Sequence, residues 1–229
     1  MFERDLPIIP VAKNVRKGEP ERLYELARFE RRYLEKGFHW IAGMDEAGRG
    51  PLAGPVVVAG AIMPGDFYIE GIKDSKKICE TRREKLFELI TKYAVEYQVS
   101  IIDEKTIDEI NILRATRLGF EQALGKFQQK PDFVITDAMD QLKVDCRYVA
   151  LVKGDEKVYS IGAASIIAKV TRDRLMRQLD AQYPEYGFAK NKGYGTPEHL
   201  KMLLKYGPCP LHRRSFLTKI LAGTQWAVE

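Results

Sequence analysis

The 229-residue chain has only three histidines, three cysteines and two tryptophans, and no apolar run long enough to span a bilayer. Cys79, Cys146 and Cys209 are odd in number and far apart, which argues against a disulfide framework and for a reducing compartment. His39, His199 and His212 have no zinc-ligand spacing. The start Met1-Phe2-Glu3-Arg4-Asp5 lacks the basic-then-apolar order of a signal peptide, so a cytoplasmic protein without a membrane partner is expected. Repeats and low-complexity tracts are also missing, which removes the solenoid and fibrous classes. The net charge of +5 is mild: it permits a polyanionic partner without requiring one. With 45% hydrophobic residues the chain can bury the core of one domain plus an appendage.

What the chain does have is the run Gly43-Met44-Asp45-Glu46-Ala47-Gly48-Arg49-Gly50-Pro51-Leu52-Ala53-Gly54-Pro55. Two adjacent carboxylates stand beside a glycine-rich turn carrying one arginine. Carboxylates without a nearby His or Cys favour a hard cation such as Mg²⁺ or Mn²⁺, and glycines let backbone N–H groups approach a phosphate closely. The combination points to metal-assisted attack on a phosphodiester.

The pattern around this run is α/β. Residues 1–18 show no periodicity and read as an extended or mobile arm, and Glu19 to Lys36 reads as one amphipathic helix. Strands are predicted at Trp40 to Asp45, Pro55 to Met63, Val95 to Ile102, Phe133 to Asp137 and Tyr148 to Val152. The second is apolar on both faces and therefore central. Helices are predicted over Thr81 to Tyr93, from about Ile107 to Phe127, and over Ser160 to Gln182. Another starts at Thr196-Pro197 and ends at Gly207, and a basic helical segment follows from Leu211.

Asp45 with Glu46, Asp137 and Asp155 would gather four carboxylates where strands end, an arrangement whose repulsion calls for cations. Two divalent ions about 4 Å apart would satisfy it and could activate a water. Neighbours on a regular strand face opposite sides, so one of Asp45 and Glu46 is expected where the strand breaks. Gly48-Arg49-Gly50 is read as a phosphate-facing turn. Asp74-Ser75-Lys76-Lys77 is either a helix-entry loop or a phosphate grip through Lys76. Tyr194, between two glycines, projects from its loop and could stack on a nucleotide. Ser165, Lys169 and Asp173 share one helix face, and Asp173 would be a fifth acid near the metals. His212-Arg213-Arg214 is a solvated basic patch that becomes a backbone clamp beside a phosphodiester site.

These segments together resemble the bacterial ribonuclease HII family of type 2 ribonucleases H. The resemblance rests on Met44 to Val57, Asp74 to Lys77, Lys153-Gly154-Asp155, Ser160 to Asp173, Gly193-Tyr194-Gly195-Thr196-Pro197 and His212 to Phe216, in order from about Ile41 to Phe216. It implies a ribonuclease H-like fold with a central mixed β-sheet flanked by helices. On this basis 1–38 is an N-terminal helical extension, 39–196 the catalytic domain, and 197–229 a C-terminal helical element that holds nucleic acid. The resemblance further implies a monomeric endoribonuclease acting on RNA–DNA hybrids and on duplex DNA containing ribonucleotides, cutting 5′ of single ribonucleotides with two Mg²⁺ or Mn²⁺ ions. In such enzymes Gly48, Arg49, Gly50 and Tyr194 would recognise the 2′-hydroxyl. The chain departs at Ala138, where the family usually has glycine after the acid. The rivals are a noncatalytic hybrid-binding module, which would gain nothing from four acids facing phosphates, and a small-molecule phosphohydrolase, which would have little use for Arg213 and Arg214.

Overall fold

The computed structural model describes residues 6–11, 15–73 and 75–227. Asp74 and residues 1–5 and 12–14 of the N-terminal arm lie outside the described residues. The first ordered piece is a two-residue strand, β1 (Ile8–Ile9). Two helices follow, α1 (Glu19–Leu26) and α2 (Arg28–Leu34), before the strands β2 (Ile41–Ala47), β3 (Val56–Ile62) and β4 (Tyr68–Ile69). Then come α3 (Glu80–Tyr93), β5 (Glu96–Ile102), α4 (Glu104–Ile110), α5 (Ile112–Lys126), β6 (Phe133–Asp137), β7 (Arg147–Leu151) and the long α6 (Tyr159–Asp180). The chain closes with α7 (Phe188–Asn191), α8 (Pro197–Tyr206) and α9 (Arg214–Leu221).

Five strands form one mixed sheet in the order β5-β3-β2-β6-β7, antiparallel on the β5–β3–β2 side and parallel from β2 through β6 to β7. β3 has no polar side chain and is buried along its whole length, as a strand covered on both faces must be. Alternation sorts its residues: Val58 and Ile62 pack with Phe120 and Ala123 of α5 and with Phe127 just after it, while Ala59 and Ala61 pack with Ala163, Ile167 and other small or branched residues of α6. The expected α/β architecture, a central mixed sheet with helices on both faces, is what the chain adopts.

Three expectations need correction. The arm is not free along its length, because β1 pairs in parallel with β4 and the Glu70 carboxylate accepts the Val11 N–H at 3.0 Å. The helix expected over Glu19 to Lys36 is two helices that break at the fully buried Ala27. The stretch expected from Ile107 is likewise divided, at Asn111. That residue takes a left-handed φ of 67°, and its side chain caps α5 by accepting the Leu113 and Arg114 N–H groups.

The N-terminal helices are fastened to the core by carboxylates. Glu19 Oε1 accepts the Gly71 N–H at 2.7 Å, and Glu30 Oε1 accepts both the N–H and the hydroxyl of Ser160, at 2.8 and 2.9 Å. Glu30 thereby caps the start of α6, the helix that backs the acidic strands. Burial pushes its carboxyl from the ordinary 4.5 up to about 7, against the opposing effect of the Ser160 bonds. The folded chain therefore holds this proton more tightly than the unfolded chain, so the contribution is full below about pH 4.5 and is lost as pH rises to about 7, worth roughly 3 kcal/mol. Glu30→Gln keeps an oxygen for Ser160 and cannot ionise. Thermal unfolding of the variant should change less than wild type between pH 5 and pH 7.5, and parallel pH dependences would refute this account.

Candidate active site

The pairing of β2 explains how two neighbouring acids come to one edge. On the β3 side the ladder runs on to Ala47 opposite Val57, but on the β6 side it ends at Met44 opposite Thr136. Asp45 and Glu46 therefore sit on a strand still paired on one side and open on the other. Asp137 ends β6, and Asp155 lies in the 3₁₀ turn Gly154–Glu156 that follows β7.

One carboxylate oxygen each from Asp45, Asp137 and Asp155 lies within 4.8 Å of the others. Glu46, one residue along the strand from Asp45, is not part of this group. Its Oε1 is 3.4 Å from Arg49 Nη1, and its Oε2 is buried without a hydrogen-bond partner. Burial, then the charges of Glu46 and Asp137, hold the Asp45 carboxyl well above its ordinary range. Burial, with Asp137 adding to it, also raises Glu46 to about 7, although Arg49 opposes the shift. Local bonds fix the group in place: Asp45 Oδ1 accepts the Glu46 N–H at 2.7 Å, and Asp137 Oδ1 accepts the Gly154 N–H at 2.8 Å. Ala138, where the family usually has glycine, turns with a φ of 52°, a conformation that costs a residue with a side chain about 1 kcal/mol. A cluster of carboxylate oxygen donors with an orphaned buried oxygen of Glu46 beside it fits a hard divalent cation.

The glycine-rich run after Glu46 is held by a buried guanidinium. Arg213 is fully buried, and its five N–H groups all donate to backbone carbonyls of that run: Nε and Nη2 to Gly54 at 2.9 and 2.7 Å, Nη1 to Arg49 and Pro51 at 2.9 Å each, and Nη2 to Gly48 at 2.6 Å. Arg172, from α6, donates to Pro55, Ala53 and Lys192 carbonyls at 2.9, 3.1 and 2.9 Å. The run also bonds to the loop before α8, where the Leu52 N–H donates to the Gly193 carbonyl at 2.8 Å. Two glycines are dictated by this closeness. Gly48 has a φ of 100°, and a Cβ there would meet Arg172 Nε at 2.0 Å; Gly193 has a φ of 82°, and a Cβ there would meet the Ala53 carbonyl oxygen at 2.3 Å. As a result Gly50 faces the Tyr194 ring, which lies 3.9 Å from where a Cβ would be. Both line a cavity of about 230 Å³, together with Glu46, Arg49, Lys76 and Ser165.

The family profile described as Ribonuclease HII matches residues 42–219. The chain belongs to the ribonuclease HII family. A Ribonuclease HII of Ruminiclostridium cellulolyticum is 51% identical over 205 residues, covering 90% of this chain and 80% of that one. One of Caldicellulosiruptor saccharolyticus is 50% identical over 204 residues, covering 89% and 98%. Among solved structures, the ribonuclease H2 of Pyrococcus horikoshii superposes with a TM-score of 0.66 at 32% identity, over 77% of this chain and 93% of that chain. As a member of the ribonuclease HII family the protein is a metal-dependent ribonuclease, and the Asp45, Asp137 and Asp155 group could hold such an ion.

The other residues singled out in this ribonuclease HII sequence fall into four places. Tyr194, Arg49, Gly50, Lys76 and Arg214 are exposed, in keeping with a reading as contacts to a ligand. Ser165 is buried beneath the site, where it hydrogen-bonds Asp45 and the Ser75 hydroxyl, the latter at 2.9 Å. Asp173 is not beside the acidic group. Its carboxylate is buried and neutralised by Lys169 Nζ at 2.6 Å and Arg83 Nη2 at 3.3 Å, so a role as a fifth acid at the metals is replaced by one in tying α6 to α3. Arg213 is corrected as well: it is a bracket for the loop and has no N–H left for a phosphate. His212 departs from the expected basic patch too, because it is buried with its ring nitrogens against His199 and Cys209. Arg172 and His199 were not singled out. Nothing in their spacing announces them, since their partners are backbone carbonyls or lie on other elements.

Proposed function

We propose that the protein cleaves the RNA strand of RNA–DNA hybrids and cuts on the 5′ side of single ribonucleotides within duplex DNA, leaving 5′-phosphate and 3′-hydroxyl ends. The observation that carries this is the approach of the Gly48-Arg49-Gly50 turn to Tyr194 beside three clustered carboxylates. A ribose differs from a deoxyribose at one position only by its 2′-hydroxyl, so a discriminating enzyme must bond that group directly. A polar notch built around a hydroxyl can reject its absence by roughly 10⁴-fold. A turn fixed by five guanidinium bonds is rigid enough to be such a notch.

In this reading Asp45, Glu46, Asp137 and Asp155 hold two divalent cations, Mg²⁺ or Mn²⁺. When bound, these ions supply activation of the attacking water and neutralisation of charge on the departing oxygen. The chain's own residues do the rest. Asp45 is oriented by the Glu46 N–H, Arg49 offers a guanidinium at the cavity rim, and the Tyr194 ring supplies a stacking face. Lys76 and Arg214 reach duplex phosphates. Beyond the cavity, the 3₁₀ turn that carries Lys76 also carries Lys77, which lines a broad groove of about 590 Å³ with Lys73, Lys157, Arg28 and Arg32. In this reading the N-terminal extension 1–38 flanks the catalytic domain 39–196 along the groove, and the element 197–229 contributes Arg213 as the loop bracket. No described helix is long and apolar enough to cross a membrane.

The test is a DNA duplex containing one ribonucleotide, incubated with Mg²⁺, with Mn²⁺ and with chelator. Metal-dependent cleavage immediately 5′ of the ribonucleotide, with none in the all-DNA duplex, is expected. Binding without cleavage under both metals would favour a noncatalytic hybrid-binding module. Tyr194→Ala should lose roughly 10- to 100-fold at the isolated ribonucleotide, the size of one stacking contact, and Tyr194→Phe should lose less. Equal and negligible losses would remove Tyr194 from the site.

A further inference from the structure

Behind Tyr194 lie two buried histidines 13 residues apart, His199 on α8 and His212 just before α9. Their Nε2 atoms are 3.0 Å apart. On the far side of His212, Nδ1 receives the Cys209 backbone N–H at 3.1 Å and has the Cys209 sulfur at 3.2 Å. On the near side of His199, Nδ1 is 2.8 Å from the Tyr194 carbonyl oxygen.

Only one arrangement of protons satisfies all of these contacts. A backbone N–H can only donate, so His212 Nδ1 is an acceptor and the neutral ring carries its proton on Nε2. That proton points at His199 Nε2, which must accept. The neutral His199 therefore carries its proton on Nδ1 and donates it to the Tyr194 carbonyl. The Cys209 thiol, which burial pushes up to about 11, stays protonated and is a second donor to His212 Nδ1. Tyr186 and Phe188 pack their rings against both imidazoles. Of the charged groups, Arg214 acts on His212 and Glu185 on Cys209. Burial disfavours the imidazolium of both rings, which keeps each to one proton.

We propose that the Cys209–His212–His199 chain is a positioning relay that fixes the Tyr194 backbone, and through it the ring, for recognition of the ribonucleotide. The two histidines are held as opposite neutral tautomers. The Tyr194 carbonyl accepts both the His199 Nδ1–H and the Thr196 N–H, the latter at 2.8 Å, so it is held from two directions at the point where the loop enters α8. His199 and His212 are thus specificity-determining positioning residues. The functional half of this inference rests on the proposed role of Tyr194; the tautomer assignment does not.

The test has two arms. Nitrogen-15 NMR of the imidazoles should find the proton on Nδ1 in His199 and on Nε2 in His212, with neither ring titrating between pH 5.5 and pH 8. The same tautomer in both rings, or titration of either in that range, overturns the relay. In the second arm, His199→Gln keeps an acceptor for His212 but loses the donor to Tyr194, while His199→Asn keeps a donor near the Nδ1 position. His199→Gln should lower kcat/KM at a single ribonucleotide on the order of tenfold, the scale of a small misplacement, and His199→Asn should lose less. Placed on Tyr194→Ala, His199→Gln should cost nothing further. An equal additional loss there overturns the relay, even if the variant is merely less stable. A Tyr194→Ala enzyme of normal activity would overturn the role of Tyr194 while the NMR arm still decided the proton arrangement.

Discussion

Asp45→Asn is expected to reduce turnover by ~10³-fold or more while binding to a hybrid duplex is retained. The side chain keeps its size and an oxygen for the Glu46 N–H, so the local fold survives. What goes is the charge at the centre of the acidic group. The basic contacts proposed for the duplex lie on Lys76, Arg49 and Arg214, which the substitution leaves in place. The same substitution should stabilise the protein in chelator. Burial and the neighbouring charges of Glu46 and Asp137 make an ionised Asp45 unfavourable in the folded chain, and asparagine removes that conflict. Adding divalent metal should then raise the melting temperature of wild type more than that of the variant, because only a ligand-competent site gains binding free energy on folding. Turnover near the wild-type rate, or an equal metal response in both proteins, would remove Asp45 from the centre of the site.

The second large effect is expected at Arg213→Met. It preserves bulk but leaves the Gly48, Arg49, Pro51 and Gly54 carbonyls without their donor. Each buried carbonyl left unpaired costs about 1–3 kcal/mol, and relaxation of the loop limits the sum to roughly 3–5 kcal/mol. For a chain of this size that is a melting-temperature drop of about 10 °C. Arg213→Lys, with three donors on a single nitrogen, should fall between. Because the loop is the proposed ribose notch, the melted loop should cost more at a single ribonucleotide than on a continuous hybrid. A melting temperature within 2–3 °C of wild type, about 1 kcal/mol for a protein this size, would show that the five bonds are not holding the loop.

The acids, the glycine turn and the sheet were legible because they are local. β3 declares itself by having no polar residue, and Asp137 by closing a short apolar strand. Thr196-Pro197 predicted the start of α8, and Thr196 does cap it, accepting the His199 N–H at 3.2 Å. Arg213 was misread for the opposite reason. Next to Arg214, which is exposed, it has the look of surface charge, and only carbonyls remote in sequence identify it as buried. The His199–His212 pair and the break at Ala27 were hidden in the same way, since each depends on what packs against it. Asp173 drew attention by its helix spacing from Ser165, but spacing along a helix fixes a face without saying what that face meets. Arg83, on α3, decided the matter.

The bracket formed by Arg213 spans 165 residues to Gly48. During synthesis the chain emerges from its N-terminus, so the acids on β2, β6 and the turn after β7 can come together while the bracket is still unmade. In the proposed reading, the acidic group and the ribose-selecting turn are thus completed at different moments in the chain's own production. A product truncated before Arg213 would carry every carboxylate of the acidic group and none of the restraint on the turn beside it.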